Sequence, residues 1–322
     1  VEADNGSSIL RAAEEAGIYI PSLCAHPDLP PQKGSSPAEA IYHGSRRIAH
    51  APEAEGPPGC GLCVVSVEGA GEVPACATEA LDGMVVTTRE PALEQLRRRR
   101  LSAILARHPH ACLTCAQREG CTREPCSMSV PVEERCCALL GRCELQAVAE
   151  YVGIDPSTPR YVPSSSGEER ITGEPLFDRE PALCIACGRC VRACEGREVR
   201  ALGWVRDAEG IRWVGPLAPT PVAAGCRLCG SCVEVCPTGA LTDRGLKPAD
   251  RAAALVPCRS ACPARTDVPR YIRLAAEDRF ADAAAVVAER APLVEVLGHI
   301  CFHPCESACR RHDVNAAPIS IC

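Results

Sequence analysis

The apolar residues Ile9, Ala12, Ala13 and Ala16 fall at i, i+3, i+4 and i+7, the spacing of one helix face. Ser8 stands where an N-cap belongs and Gly17 where a helix closes, so a short helix is predicted between them. Residues 30–58 break the pattern. They are rich in Pro, Gly, Ser and Ala without sustained periodicity and read as an inserted loop. Val64 to Glu68 and Met84 to Thr88 read as strands, which makes residues 1–88 a mixed α and β module. A helix is predicted over residues 91–107, with Leu93, Leu96, Leu101, Ile104 and Leu105 apolar. Its basic run, Arg97 to Arg100, is expected to form a solvated face. After a cysteine-dense stretch from Cys112 to Cys143, the residues Leu145, Val148, Ala149 and Val152 resume the helical period and Gly153 follows. Helices therefore flank a second module over 89–154. Residues 155–175 (Pro, Ser, Thr, Gly, Glu) read as a linker. Residues 176–246 carry two near-identical cysteine runs 42 residues apart, an internal duplication. Over 247–322 the pattern is helical again: Asp267 can cap a helix with Pro269 in its first turn, and the Ala-rich stretch 277–291 suits another. The predicted class is α+β and multi-domain.

Composition changes what must hold these modules together. Against 25 Cys in 322 residues there are three Phe, two Trp, five Tyr and two Met, with 29 Pro and 25 Gly. That is poor material for one large hydrophobic core, so several small modules are expected. Disulfides do not explain the sulfur: no signal peptide precedes the first Cys, the count is odd, and the cysteines come in C-x2-C runs. A reducing, cytoplasmic setting is expected. A net charge of −6 argues against a nucleic-acid partner, which needs a basic footprint. No apolar run reaches the roughly 18 residues of a membrane span. The chain opens at Val1 without Met and stops at Cys322 in mid-pattern, and so reads as a piece of a longer polypeptide.

The duplicated runs are the most specific signal. Cys184, Cys187, Cys190 and Cys194 form C-x2-C-x2-C-x3-C, and Cys226, Cys229, Cys232 and Cys236 repeat it with Pro237 after the last. This is the bacterial ferredoxin run, in which the fourth Cys ligates the other cluster. One [4Fe-4S] cluster is therefore expected on Cys184, Cys187, Cys190 and Cys236, and a second on Cys226, Cys229, Cys232 and Cys194. Structural zinc is the alternative, but its four-cysteine sites use two separated C-x2-C pairs rather than triplets. Glu195, not Pro, follows Cys194.

Cys24, Cys60, Cys63 and Cys76 follow another rule. The stretches SILRAAEEAGIYIPSLCAHPDL, CGLCVVSVEG and VPACATEALDGMVVTT resemble the [2Fe-2S] ferredoxin module at the front of NADH-quinone oxidoreductase G subunits, iron-only hydrogenases and some formate dehydrogenases. The resemblance implies a β-grasp fold with those four cysteines as [2Fe-2S] ligands and a first strand lying upstream of Val1. The gap from Cys24 to Cys60 is longer than the family's, an insertion whose closure entropy grows slowly with length. His108, Cys112, Cys115 and Cys121 resemble the same families' H-x3-C-x2-C-x5-C motif for a His-ligated [4Fe-4S] cluster in a small helical module, with His110 a bystander. The family motif ends in an acidic residue, Leu and Gln, and here Glu144, Leu145 and Gln146 follow Cys143, so Cys143 competes with Cys121. Residues 122–143 then read as an insertion or partial duplication. Cys126, Cys136, Cys137 and Cys143 could hold a further [4Fe-4S] cluster or zinc, or remain free buried thiols.

The stretches PCRSACPARTDVPRYI, VLGHICFHPCESACRR and PISI resemble the helical Fe-S domain of the glutamate synthase small subunit and of dihydropyrimidine dehydrogenase. The resemblance implies one [4Fe-4S] cluster on Cys262, Cys301, Cys305 and one of Cys258, Cys309 or Cys322. Buried reduced thiols are the alternative, and His299 and His303 read as structural. A C-x2-C pair that the family carries just before Cys258 is missing.

No nucleophile triad, phosphate loop or paired-carboxylate arrangement stands out, so the expected chemistry is one-electron transfer along one [2Fe-2S] and three to five [4Fe-4S] clusters. In formate dehydrogenases and G subunits a molybdopterin-type domain follows the ferredoxin pair. Here a glutamate-synthase-like domain does, which implies FAD and NAD(P)H on a further part of the polypeptide or on a partner. The expected function is the Fe-S region of an FAD-dependent NAD(P)H oxidoreductase serving a ferredoxin, hydrogenase, formate dehydrogenase or similar redox partner. The alternatives are the Fe-S part of a formate dehydrogenase alpha or G-type subunit, a freestanding polyferredoxin, or a zinc-bound structural protein.

Overall fold

Local signals set the first helix. In a computed structural model, which describes residues 1–30, 36–53, 59–119, 121, 125–163, 170–246, 254–314 and 317–321, the Ser8 side chain accepts the Arg11 amide at 3.2 Å and starts α1 (Ile9–Glu15). Ile9, Leu10 and Ala13 of α1 pack on a three-stranded antiparallel sheet made of β3 (Val64–Val67), β4 (Gly71–Pro74) and β5 (Val86–Thr87). The strand order is β4-β3-β5. The chain divides into two units, Val1–Thr242 and Asp243–Cys322.

The stretch read as an inserted loop is not irregular throughout. Residues 31–35 and 54–58 lie outside the described ones, but between them β1 (Ala40–His43) and β2 (Arg46–Ala49) form an antiparallel hairpin. Its partner lies far along the chain: Ile41 and Ile48 pack on Val205, with Ala38, Trp213 and Leu217 at the margin. Val205 and Trp213 face one another in the hairpin of β7 (Leu202–Arg206) and β8 (Arg212–Pro216). The Ala38 amide donates to Trp204 O at 2.8 Å, and His43 Nε2 donates to Val214 O at 3.0 Å. The approach is so close that a Cβ on Gly215 would sit 2.7 Å from Tyr42 O. Gly215→Ala is accordingly expected to destabilise this unit by about 1–3 kcal/mol; thermal unfolding monitored by circular dichroism checks it, and an unchanged midpoint would mean that the hairpins are not held this tightly.

The second module is built on α2 (Pro91–Leu105) and α3 (Glu144–Val152). Leu101 and Leu105 of α2 meet Leu145, Val148, Ala149 and Val152 of α3, and Leu23 and Leu62 from the first module enter the same core. The duplicated region contributes α4 (Arg189–Glu195) and α5 (Ser231–Glu234), together with β6 (Phe177–Arg179) paired to β9 (Leu241–Asp243). Both helices start from a left-handed glycine at the same point of the repeat, Gly188 at φ +74° and Gly230 at φ +75°. That conformation is open to Gly at little steric cost and turns the chain sharply between the second and third cysteines.

The second unit is helical: α6 (Pro257–Ala261), α7 (Val268–Ala276), α8 (Phe280–Ala288), α9 (Val294–Ile300) and α10 (Pro304–Ser307). Asp267 caps α7 by accepting the Arg270 amide at 3.4 Å. Leu274 of α7 packs with Ala283 and Val286 of α8, and Val268, Cys305 and Ile321 form a separate small core.

Candidate metal centres

Three loops bring the first four cysteines together. Cys24 follows α1, Cys60 and Cys63 precede β3, and Cys76 follows β4. Cys24 Sγ and Cys60 Sγ are 3.5 Å apart, the Leu23 amide donates to Cys60 Sγ at 3.4 Å, and Cys76 is hydrogen-bonded to both Cys24 and Cys63. Hydrogen bonds from Cys60 and Cys76 hold the Cys24 thiol well below its ordinary range, while the pairing with Cys24, with burial, pushes Cys60 up. Four sulfurs sharing protons this closely, those of Cys24 and Cys63 buried and those of Cys60 and Cys76 half-buried, are ready to become a metal's thiolate set.

The basic run expected to form a solvated face is solvated only in part: Arg98 and Arg99 are exposed, while Arg97 and Arg100 turn to support this loop. Arg97 is 2% exposed; its Nε donates to Leu62 O at 3.1 Å and its Nη2 to Val64 O at 2.6 Å. Arg100 Nη1 donates to Gly61 O at 2.6 Å and Arg98 Nε to Val152 O at 3.2 Å. The reason is geometric: the turn from Cys60 to Val64 directs carbonyls at α2 that no strand partner satisfies, and a planar guanidinium can reach two of them at once.

In the duplicated region one cavity is walled by Cys184, Cys187 and Cys190 of the first run and Cys236 of the second. Cys226 and Cys232 each lie close enough to Cys194 and Cys229 to feel their charge, so these four gather as a second group. The repeat extends to the turns: the Ala186 amide donates to Cys184 Sγ at 3.4 Å and the Leu228 amide to Cys226 Sγ at 3.3 Å. Burial pushes Cys187 and Cys232 each up to about 12, so binding a metal here must displace protons. Arg192, two residues after Cys190, carries no sequence motif of its own. It is 5% exposed and donates through Nη1 to Pro30 O and through Nη2 to Cys24 O, and Cys24 and Cys187 are the thiols that act most strongly on its charge. The signal for it lies in the repeat, whose equivalent residue is Glu234.

Residues 108–143 divide differently from the expectation. Cys112, Cys115, Cys121 and Cys126 line one cavity. Cys143 Sγ points elsewhere, 3.5 Å from Pro237 O, and the Cys137 sulfur lies against Gly239. Cys136 is buried beside Cys112, to whose sulfur its amide donates at 3.3 Å. The structure thus brings Cys126 to Cys121 and separates Cys143 from it, because the turn at 126–130 folds back while α3 starts directly after Cys143. His108 is 4% exposed; its Nδ1 donates to Pro109 O at 2.8 Å, which leaves the Nε2 lone pair buried without a partner. Burial pushes this imidazole down to about 4, so it is neutral. A neutral ring oriented through Nδ1 with a bare Nε2 is the state in which His ligates a metal. His110 is occupied by His108 O at 2.9 Å.

In the second unit Cys258, Cys305 and Cys309 are neighbours. Cys262 Sγ bonds Thr266 Oγ1 at 3.7 Å, and Cys301 is exposed, accepting the His303 amide at 3.4 Å. His299 Nδ1 donates to Glu295 O at 2.7 Å. Cys322 lies outside the described residues.

Among the described residues no three His, Cys, Asp or Glu side chains converge tightly enough for a single metal ion. Two of the cysteine sets, Cys184, Cys187, Cys190 and Cys236 and Cys112, Cys115, Cys121 and Cys126, surround cavities, a layout that suits a multi-atom cluster. With thiolate donors, amides aimed at sulfur and a bare imidazole nitrogen, the residues present fit iron–sulfur clusters. Fold and sites together define a multi-cluster iron–sulfur protein.

The relatives place it further. Residues 1–91 match the 2Fe-2S iron-sulfur cluster binding domain, 183–240 the 4Fe-4S dicluster domain, and 243–322 the 4Fe-4S cluster domain II of dihydropyrimidine dehydrogenase. The chain is 34% identical over 248 residues to a G-type subunit, numbered 2, of the NADH-quinone oxidoreductase of Rhizobium meliloti, a match that covers 75% of this chain and 23% of that protein. It is 31% identical over 242 residues to a subunit of the NADP-reducing hydrogenase of Solidesulfovibrio fructosivorans, covering 74% of this chain and 34% of the relative. With the NADPH-Fe(3+) oxidoreductase alpha subunit of Geobacter sulfurreducens it shares 26% over 260 residues, 80% of this chain and 24% of the relative. The crystal structure of an NAD+-reducing [NiFe]-hydrogenase superposes with a TM-score of 0.52 at 24% identity, over 77% of this chain and 85% of that one, and shows the same mixed helix and sheet fold. The chain is thus an electron-transfer region with [2Fe-2S] and [4Fe-4S] domains, homologous to the iron–sulfur regions of NADH-quinone oxidoreductase G subunits, hydrogenase subunits and formate dehydrogenases. It spans between about a sixth and about a third of the length of these curated relatives. No helix among the described residues is long and apolar enough to cross a membrane.

Proposed function

We propose that this chain is the iron–sulfur electron-transfer region of an FAD-dependent NAD(P)H oxidoreductase, acting in the cytoplasm with a redox partner subunit or ferredoxin. The observation that carries this reading is the order of modules: a [2Fe-2S] unit and a ferredoxin pair run into a unit matching domain II of dihydropyrimidine dehydrogenase. Bound flavin would split a hydride's electron pair into single electrons. This chain's part is to hold clusters at fixed spacing and set their potentials through ligand type, hydrogen bonds to sulfur and burial. In this reading 1–88 is a β-grasp module with ligands Cys24, Cys60, Cys63 and Cys76, and 176–246 is a two-cluster ferredoxin. The C-terminal cluster draws on Cys258, Cys262, Cys301, Cys305 and Cys309. The matched G, hydrogenase and formate dehydrogenase subunits favour a second reading, the Fe-S part of such a subunit.

The test is anaerobic purification of the native complex followed by EPR. NAD(P)H alone should reduce the clusters, and FAD should be stoichiometric. Clusters that respond to dithionite but not to nicotinamide, in a preparation without flavin, would favour the second reading, and a colourless zinc protein would overturn both. Cys76→Ser is expected to alter the [2Fe-2S] signal selectively and leave the [4Fe-4S] signals in place.

A further inference from the structure

The cavity walled by Cys112, Cys115, Cys121 and Cys126 lies in a stretch, 92–182, that none of the matched domain families covers. Its fourth cysteine is not the one that motif spacing selects. Spacing supplies His108 for this position, or Cys143 in place of Cys121, yet Cys143 is directed at Pro237. Cys126 instead shares the wall with the other three.

The backbone around these sulfurs repeats what the ferredoxin pair does. At Cys184 and Cys226 the amide two residues further on donates to the sulfur. At Cys115 the Gln117 amide does so at 3.4 Å, and the Met128 amide faces Cys126 with those of Ser129 and Val130. Cys112 receives the Cys136 amide. Hydrogen bonds of this kind stabilise thiolate sulfur on a cluster. Two cations, Arg118 and Arg135, line the same cavity and complement the negative charge that a four-thiolate cluster carries.

We propose that this cavity holds an all-cysteine [4Fe-4S] cluster with Cys126 as its fourth ligand, separate from the centre that uses His108. Removing these four from the eight Cys and His donors of residues 108–143, His110 aside, leaves His108, Cys136, Cys137 and Cys143, which is one further complete set of four. The inference rests on the reading of this chain as an iron–sulfur protein.

The test uses the full chain purified anaerobically, with iron analysis, Mössbauer spectroscopy and EPR. Cys126→Ser is expected to lose about four iron atoms per chain while the [2Fe-2S] signal persists as a control for folding. Combined with His108→Ala it should lose about eight, because the two residues serve different clusters and their losses add. A double variant that loses only about four would place both residues on one cluster and overturn the proposal, as would an unchanged iron content in Cys126→Ser. Should Cys126→Ser fail to fold, Cys126→Asp, which keeps an anionic donor, is expected to retain iron with altered g-values, and an unaltered spectrum would overturn the proposal. Wild-type protein without iron would instead overturn the functional reading on which this one rests.

Discussion

Arg97→Ala should destabilise the first unit by about 3 kcal/mol and release the [2Fe-2S] site with it. The side chain is buried, and its two hydrogen bonds satisfy Leu62 O and Val64 O at the turn that carries Cys60 and Cys63. Truncation leaves both carbonyls desolvated and unpaired, at about 1–3 kcal/mol each when no water reaches them. For a unit of this size the midpoint of thermal unfolding should fall by about 6–12 °C. Arg97→Lys should rescue little, since a single ammonium on a flexible stem cannot hold two carbonyls in the fork geometry. Circular dichroism and the [2Fe-2S] EPR signal followed on one heating ramp check this. A stable Arg97→Ala protein with its signal intact would show that the arginine does not hold the loop.

That arginine marks where local sequence stops being informative. Charge runs on helices are usually solvated, and Arg97 has three basic neighbours, so nothing local distinguishes the one that turns inward. The direction comes from unpaired carbonyls more than thirty residues earlier, which only the tertiary fold places beside α2. The same holds for β1 and β2. Each strand is four residues long, and Ile41 and Ile48 pack chiefly on Val205, Trp213 and Leu217 of a hairpin region over 150 residues later. The helices are legible because their information is local: Ser8 and Asp267 cap in the structure as the sequence implies, and α3 covers the periodic run that ends at Gly153. The duplicated cysteine runs are legible for a different reason. Their spacing is itself the constraint, since ligands two and three residues apart leave few backbone paths and force the left-handed turns seen at Ala186, Gly188, Leu228 and Gly230. The density of cysteines between 112 and 143 defeats the same logic, because several assignments satisfy the spacing and only the folded turn at 126–130 favours one.

The duplication also sets up an electrostatic difference between its halves. At equivalent positions the first half has Arg192 and the second Glu234, and Arg189 stands where the second has Ser231. Arg189 is neutralised in part by Glu144, with which it makes a two-point ion pair at 2.9 Å. Among the described residues Arg192 makes no hydrogen bond to a carboxylate. Its donors go to the carbonyls of Cys24 and Pro30, so its buried positive charge is tied to Cys24 and also acts on Cys187, which walls the cavity of Cys184, Cys187, Cys190 and Cys236. Reduction adds a negative charge to either centre, and a nearby cation favours it, so losing the cation must lower both potentials. A single buried cation acting through an effective dielectric of about 20 contributes on the order of 2 kcal/mol, or about 90 mV on a one-electron couple. Arg192→Gln, which keeps a donor for one carbonyl, should therefore lower the [2Fe-2S] midpoint and that of the first [4Fe-4S] cluster by some tens of millivolts, up to about 90 mV. The cluster proposed on Cys194, Cys226, Cys229 and Cys232 should move less, because its thiols are not among those that the Arg192 charge acts on most strongly. Arg192→Lys should retain most of both potentials, since it preserves the charge. EPR-monitored redox titration separates the three centres. Equal shifts at all of them would mean a general loosening of the fold, and no shift at the [2Fe-2S] site would show that α4 does not tie these two centres together electrostatically.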